Sequence, residues 1–522
     1  MNDEKIIFHA KEQRVFSGIL TTFFFGITLL GVFHHEMWRD ELHTWLVGQK
    51  SESIFNLIYQ MRYDGHPSLW YICVYLLTRI TSNPVAMQIF HVLVATGTVY
   101  LVSTYSRLTR IQATLFAFGY FPFYEYALIS RSYALGVFLT FWCCKLMTSR
   151  RRNYGAISIT LALMSNVSIY TLILALAFLV GLTIEVLAWE RSVFNRGEPN
   201  GYRWGESITV LKKDFMRCYA YLAVVVMSML LSVAQMQFLA PEDRANIEIW
   251  NFHFDIERVF LLFENIYKAF IPIPALTYHF WKGYVIGHVG QVPLGIVLLT
   301  ISIFFLIRTP IPLLIYLSGL GTISFFTYTK FAGSTRHHGH IFILFMACFW
   351  LSQYYAQSFK RFDFHWLRRK TTKSRLICGL LCLNFLGGIY AFQMDWRYPF
   401  STAKAAAQFI QAYPTENLML AGYQDWSAAS IAGYLGRDIY YPNQNRSWTF
   451  VLWDNKRRRI TQDQAIKVIE QQVDQQHKRA LVILNSPVMR LSQFPRLSPL
   501  RFFEGSIVRD ENTYLYLLDP KV

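Results

Sequence analysis

The chain has 522 residues, of which 53% are hydrophobic, 17% aromatic and only 16% charged, with a mean hydropathy of +0.25. Soluble domains carry about 25% charged residues, so this composition describes a polytopic membrane protein and excludes a disulfide-framed secreted mini-protein or a disordered chain. The formal charge of +17 lies in short Lys/Arg blocks between apolar runs, where it sets orientation instead of binding nucleic acid.

In chain order, apolar runs long enough to span lie near 15–33, 84–105, 112–129, 132–148, 154–167, 168–189, 217–239, 289–307, 310–328, 340–356 and 376–393, which predicts about eleven transmembrane helices. The first run, Val15 to Phe33, is too long for a signal-peptide core and stays as a membrane helix. Pro67 to Ile80 is marginal for spanning, and reading it as interfacial places every basic block in the cytoplasm. Asn166 is the only punctuation between 154–167 and 168–189. The resulting topology is a multi-pass inner (plasma) membrane protein, with a cytoplasmic N-terminus and an extracytoplasmic C-terminus. Its outer face gathers the loops 34–83 and 240–288, the turns at Ser130 and at 330–340, and the tail.

The expected division is a membrane domain over 1–393 and a small extracytoplasmic α/β domain over 394–522. In the tail, helical spacing covers Thr402 to Ala412 and Thr461 to Gln475, and short strands are expected at Leu418–Ala421, Ala480–Leu484, Phe502–Val508 and Thr513–Leu518. Cys73, Cys143, Cys144, Cys218, Cys348, Cys378 and Cys382 all fall in apolar segments and the tail has none, so neither a disulfide framework nor redox chemistry is expected.

Titratable residues without an orientation role collect on the outer face. The first loop reads His34-His35-Glu36-Met37-Trp38-Arg39-Asp40-Glu41. Its acidic pair, Asp40 and Glu41, stands where a membrane-borne head group meets water, and serves either as a general base or metal ligand, or as a solvated helix cap. The stretch Tyr63-Asp64-Gly65-His66-Pro67 breaks one helix and starts the next. Arg131, outside against the charge rule, needs an anion such as a lipid phosphate or carboxylate, or else snorkels beside Glu125. The turn Lys330 to His340 is the densest basic and imidazole cluster. Phosphate binding by Arg336 and His337 is the preferred reading, and a metal held by His337, His338 and His340 with first-loop carboxylates is the alternative. The aromatic loop 240–288, with Trp250, Phe252, Trp281 and Tyr284, reads as interfacial, and neither Glu264 nor His279 is given a role.

The ordered set of Asp40-Glu41 followed by Thr44-Trp45, Gly65-His66-Pro67 with Leu69-Trp70-Tyr71, Arg131-Ser132-Tyr133, and Arg336-His337-His338-Gly339 resembles the GT-C glycosyltransferases. That superfamily includes protein O-mannosyltransferases and the bacterial aminoarabinose transferase. The resemblance runs the length of the chain, and many relatives also end in an outer-face soluble domain. Many relatives carry a Tyr where this chain has His337, so the late cluster matches more loosely than the first loop.

The resemblance implies a polyprenyl- or dolichyl-phosphate sugar donor, with Asp40 as the base toward the acceptor and Glu41 as its supporting neighbour. Arg131, Arg336 and His337 would bind the departing phosphate. A divalent metal stays open, with His66 or His338 to serve it or to contact substrate. The expected activity is inverting sugar transfer to an envelope glycolipid, polysaccharide or protein on the outer face, with membrane lipids as further partners. The alternative is a lipid or glycan transporter without bond chemistry, against which count the one-sided clustering and the lack of an internal repeat.

Overall fold

The computed structural model describes residues 2–195, 204–237, 250–356, 370–414 and 417–521. Within them, seven helices are long and apolar enough to cross a membrane: Lys11–His34, Val85–Tyr105, Ile169–Arg191, Phe215–Gln237, His288–Leu306, Pro310–Thr329 and Thr371–Arg397. The other four expected spans are also helical but shorter or interrupted.

Those helices belong to the series α1 (Asn2–His34), α2 (Arg39–Lys50), α3 (Ile54–Gln60), α4 (Leu69–Thr78), α5 (Val85–Tyr105), α6 (Arg110–Ala117), α7 (Tyr133–Met147), α8 (Arg150–Ser165), α9 (Ile169–Asn195), α10 (Trp204–Gln237), α11 (Ile256–Phe270), α12 (His288–Leu306), α13 (Pro310–Thr329) and α14 (Thr335–Ser352). The last span lies in the Lys370–Arg397 helix. α4 has 10 residues, which at about 1.5 Å per residue reaches only half of a ~30 Å hydrocarbon core. The stretch Pro67 to Ile80 therefore does not span. α8 ends at Ser165 with Asn166 as its cap, and α9 starts at Ile169, so Asn166 does mark a break.

The run 112–129 is not one helix. α6 stops at Ala117, and a π-helix of 9 wholly buried residues follows from Tyr120 to Leu128. Pro122 has no N–H to bond the Phe118 carbonyl and its ring clashes with that carbonyl, so one continuous helix cannot pass here, and the break is closely packed. A Cβ on Gly388 would meet the Phe118 carbonyl oxygen at 2.6 Å and the Gly119 carbonyl carbon at 2.9 Å. Only glycine lets the Lys370–Arg397 helix lie against the break. The wider π turn also carries the chain to Ser130 and Arg131, and such turns are frequent at functional sites.

The C-terminal region forms one six-stranded sheet in the order β3-β2-β1-β4-β6-β5, from β1 (Met419–Tyr423), β2 (Ile439–Tyr441), β3 (Arg446–Trp448), β4 (Ala480–Leu484), β5 (Leu497–Phe503) and β6 (Thr513–Leu518). β1 runs parallel to β2 and β4, and the remaining pairs are antiparallel. The Ala-Leu-Val-Ile-Leu run of β4 is buried throughout, as expected of a strand covered on both faces. The strand expected at Phe502–Val508 lies earlier, at Leu497–Phe503. It sits at the sheet edge, where Pro499 is tolerated beside a register shift, and Gly505, at φ +89°, turns the chain away.

A helix at Asp425–Leu435 was not legible, because its small residues give little periodic signal. It packs on α2 so closely that a Cβ on Gly433 would lie 3.2 Å from Leu42 Cβ. α2 is thus held between the membrane bundle and the sheet region. Leu46 and Val47 join Phe450 and Leu452 in one buried cluster, and Phe400, Ile507 and Val508 join the membrane core.

Candidate active site

Three helix starts, those of α2, α7 and α14, converge. Asp40 lies in the first turn of α2, Arg131 just precedes α7, and Arg336 lies in the first turn of α14. Asp40 Oδ2 is 2.8 Å from Arg131 Nη1 and 3.2 Å from Arg336 Nη2. The Asp40 side chain keeps 28% exposure and each arginine 14%, so the trio borders open space while its charges remain strongly coupled. Burial pushes the Asp40 carboxyl up, but Arg131, Arg336, Arg39 and His43 outweigh it and hold it well below the usual carboxylate range. Arg131 therefore pairs with Asp40 and not with Glu125, which instead accepts from Tyr120 Oη at 3.1 Å and Trp281 Nε1 at 3.4 Å.

Arg336 lies between two indoles, with its guanidinium carbon 5.5 Å from the Trp38 ring centre and 5.6 Å from that of Trp281. Its Nε and Nη1 have no protein partner. Trp281 belongs to the loop read as merely interfacial, and here it supports a site residue. That loop keeps its interfacial character elsewhere, since Phe252, Phe254, Ile256 and Phe260 are exposed.

The trio opens onto a cavity of about 240 Å³. Arg39, Asp40, His43 and Thr44 line it from α2, while Asp64, His66 and Tyr71 form a second wall. Tyr133, Phe331, Arg336 and His337 close the membrane side, and Trp426, Ala429, Val451 and Trp453 come from the sheet region. His43 Nε2 contacts the Asp64 oxygens at 3.1 and 3.0 Å, and Tyr71 Oη donates to Asp64 Oδ2 at 2.8 Å. Burial lowers the basicity of His43, but Asp64 and Asp40 override it and raise the imidazole's pKa. Burial likewise raises Asp64, and His43 with Tyr71 brings it below the ordinary value.

Of the expected site residues, Asp40, Arg131, Arg336, His337 and His66 border this one cavity, and Glu41 and His338 do not. His337 Nδ1 accepts from the Ser334 backbone N–H at 2.9 Å, so that nitrogen carries no proton and the ring is neutral. His338 is turned to the Ala332 carbonyl oxygen at 3.1 Å. Glu41 is fully buried. It accepts from the Ser130 backbone N–H at 2.6 Å and the Trp38 backbone N–H at 3.2 Å, and it contacts His35 Nε2 at 3.1 Å.

His43, Asp64 and Tyr71 had no role in the sequence reading, nor did Trp426 and Trp453. The Asp40/His43 spacing on one helix face was the available signal for the first of these. The others come from separate elements that only the fold joins.

A divalent metal does not fit these residues. Asp40 Oδ2 is occupied by two guanidinium groups and both Asp64 oxygens face His43. Among the described residues, no group of three His, Cys, Asp or Glu side chains converges as a ligand set.

No family model matches the chain, and no curated protein matches it. Among solved structures, it is similar to ArnT from Cupriavidus metallidurans bound to undecaprenyl phosphate, with a TM-score of 0.49 and 11% identity over 96% of this chain and 97% of that one. The apo state of the same ArnT gives a TM-score of 0.48 and 12% identity over 95% of this chain and 97% of that one.

Proposed function

We propose that this chain is a membrane glycosyltransferase that moves a sugar from a polyprenyl-phosphate donor to a hydroxyl of an envelope glycolipid, polysaccharide or protein at the outer face of the inner membrane. The observation that carries this reading is the Asp40–Arg131–Arg336 trio on a cavity walled by both the membrane helices and the sheet region. A cavity holding a carboxylate and two guanidinium groups supplies both halves of a displacement, a proton acceptor and a site for a departing anion.

In the reaction, the acceptor oxygen attacks the anomeric carbon from the face opposite the phosphate. The new C–O bond forms as the bond to the phosphate oxygen breaks, its electron pair leaves with the lipid phosphate, and the configuration inverts. Asp40 Oδ1 takes the acceptor's proton, because both arginines meet Oδ2. Arg131 and Arg336 supply the charge-assisted forks suited to phosphate oxygens. Both stand at helix N-termini, where the dipole also favours an anion. His337, neutral with its Nδ1 occupied, is left to donate from Nε2.

The test is sugar transfer from a panel of polyprenyl-phosphate sugars in reconstituted membranes, comparing wild type with Asp40→Asn at equal folded amounts. Transfer by wild type that disappears in the variant supports both class and base. Transfer that survives in the variant moves the base elsewhere, and a wild type inert toward every donor and acceptor offered counts against an enzyme.

A further inference from the structure

Asp40 raises a difficulty for the mechanism just proposed, on which this inference rests. A carboxylate clamped by two guanidinium groups is a weak base, since every charge that stabilises its ionised form lowers its appetite for a proton. The clamp is also made from the same side chains that the donor phosphate needs. Arg39 and His43 also lower the Asp40 carboxyl, but they make their direct contacts elsewhere. Arg39 contacts Asp510 at 3.0 Å and Glu511 at 3.2 Å, and His43 contacts Asp64.

We infer that Asp40 and the donor phosphate are alternative partners of the Arg131–Arg336 pair, so that donor binding itself frees the carboxylate to act as a base. Two observations favour the exchange. A phosphate offers several oxygens to the pair, whereas the contacts of both arginines with Asp40 converge on one oxygen, Oδ2. Arg336 also keeps Nε and Nη1 buried and without a protein partner, so a guanidinium that turns toward a phosphate gains hydrogen bonds that it does not make to Asp40.

Once the arginines turn to phosphate, Asp40 loses its strongest counter-charges while remaining within the same cavity. Its affinity for a proton rises at the moment an acceptor hydroxyl has a sugar to attack. The order of events is then fixed: donor first, acceptor deprotonation second. Without donor, Asp40 stays clamped and does not activate water in the cavity.

The experiment measures binding of farnesyl phosphate, a short polyprenyl monophosphate, to the full chain in detergent, with farnesol as the neutral control. Removing the internal competitor in Asp40→Asn is expected to tighten farnesyl phosphate binding about tenfold and to leave farnesol binding unchanged. Asp40→Ser gives a second neutral side chain should the asparagine variant fail to fold, and thermal melting verifies each. Unchanged or weaker binding of farnesyl phosphate by a folded neutral variant overturns the inference, because competition then plays no part. An Arg131→Ala/Arg336→Ala double variant separates this from the underlying reading. If it binds less than wild type, the phosphate site stands on its own; if it binds like wild type, both the site and the exchange are overturned.

Discussion

His35 Nδ1 and Asp395 Oδ2 meet at 2.7 Å, joining residues 360 positions apart in the chain. The same imidazole reaches Glu41 through Nε2, and Glu41 in turn holds the Ser130 backbone N–H. One buried line of contacts therefore ties the end of the first span to the end of the last, to α2 and to the turn that presents Arg131. Burial opposes charge on His35, but Asp395 and Glu41 outweigh it and push the pKa up to about 10. Because the folded pKa lies above the ordinary 6.5, the stabilisation is fully present below pH 6.5 and is lost as pH rises through about 10. His35→Gln leaves two buried carboxylates without their cation, a loss of about 3–5 kcal/mol. A melting temperature in detergent that falls at pH 7, with a gap to wild type that closes toward pH 10, is the expected result. Equal melting at pH 7 would contradict the assignment.

The two neighbouring carboxylates separate into different jobs. Asp40 faces the cavity, so Asp40→Asn is expected to lower the transfer rate about 10²–10⁴-fold, the range of a lost general base, while the fold persists. Glu41 is buried and caps backbone N–H groups, so Glu41→Gln is expected to lower the melting temperature more than Asp40→Asn does. Paired melting and rate measurements check this, and a Glu41→Gln protein with unchanged melting and abolished transfer would reverse the two roles.

Arg336 contributes a planar fork as well as a charge. Its removal costs about 1.5–3 kcal/mol of charged hydrogen bonding, so Arg336→Ala is expected to raise the KM for donor roughly ten- to hundredfold. Arg336→Lys is expected to recover only part of this, since an ammonium cannot present the same two parallel donors between Trp38 and Trp281. Steady-state kinetics against donor concentration reads both, and a KM unchanged in Arg336→Ala removes the residue from the donor site.

Much of this was legible because apolar runs, basic blocks and turn residues act locally. α5, α13, β4 and β6 fall where hydropathy and alternation place them, and Asn166 and Pro67 punctuate as their chemistry requires. The break at 118–119 was missed although Gly119 and Pro122 mark it locally, because the surrounding apolar run is long enough to span; only its close packing on Gly388 depends on a helix far along the chain. Asp40, Arg131 and Arg336 could be listed from sequence, but not their common contact at Oδ2. Asp64 looked like part of a turn until the fold brought it against His43. The aromatic wall from Trp426 and Trp453 lies in the tail, whose relation to the first loop no local pattern encodes.

Beside the apolar packing of α2 on the sheet region, Arg39 adds a charged link. Its guanidinium is 4.2 Å from the Trp426 ring centre and 5.0 Å from that of Trp38, and it reaches the buried Glu511 at 3.2 Å. Burial is the strongest influence on Glu511 and raises it, Arg39 and Ser401 act the other way, and the balance lies at about 7. The folded chain therefore keeps a proton on Glu511 between 4.5 and about 7 that the unfolded chain releases. Wherever the folded state binds more protons, stability falls as pH rises, so this residue's contribution declines across that window. Glu511→Gln carries no proton to lose. Relative to wild type, its melting temperature is expected to improve from pH 4.5 to pH 8, even though Arg39 keeps only Asp510 as a charged partner in the sheet region. Melting curves of both proteins over that range decide the point: parallel profiles would mean that Glu511 is ionised throughout, and that the contact joining α2 to the sheet region is a fixed ion pair.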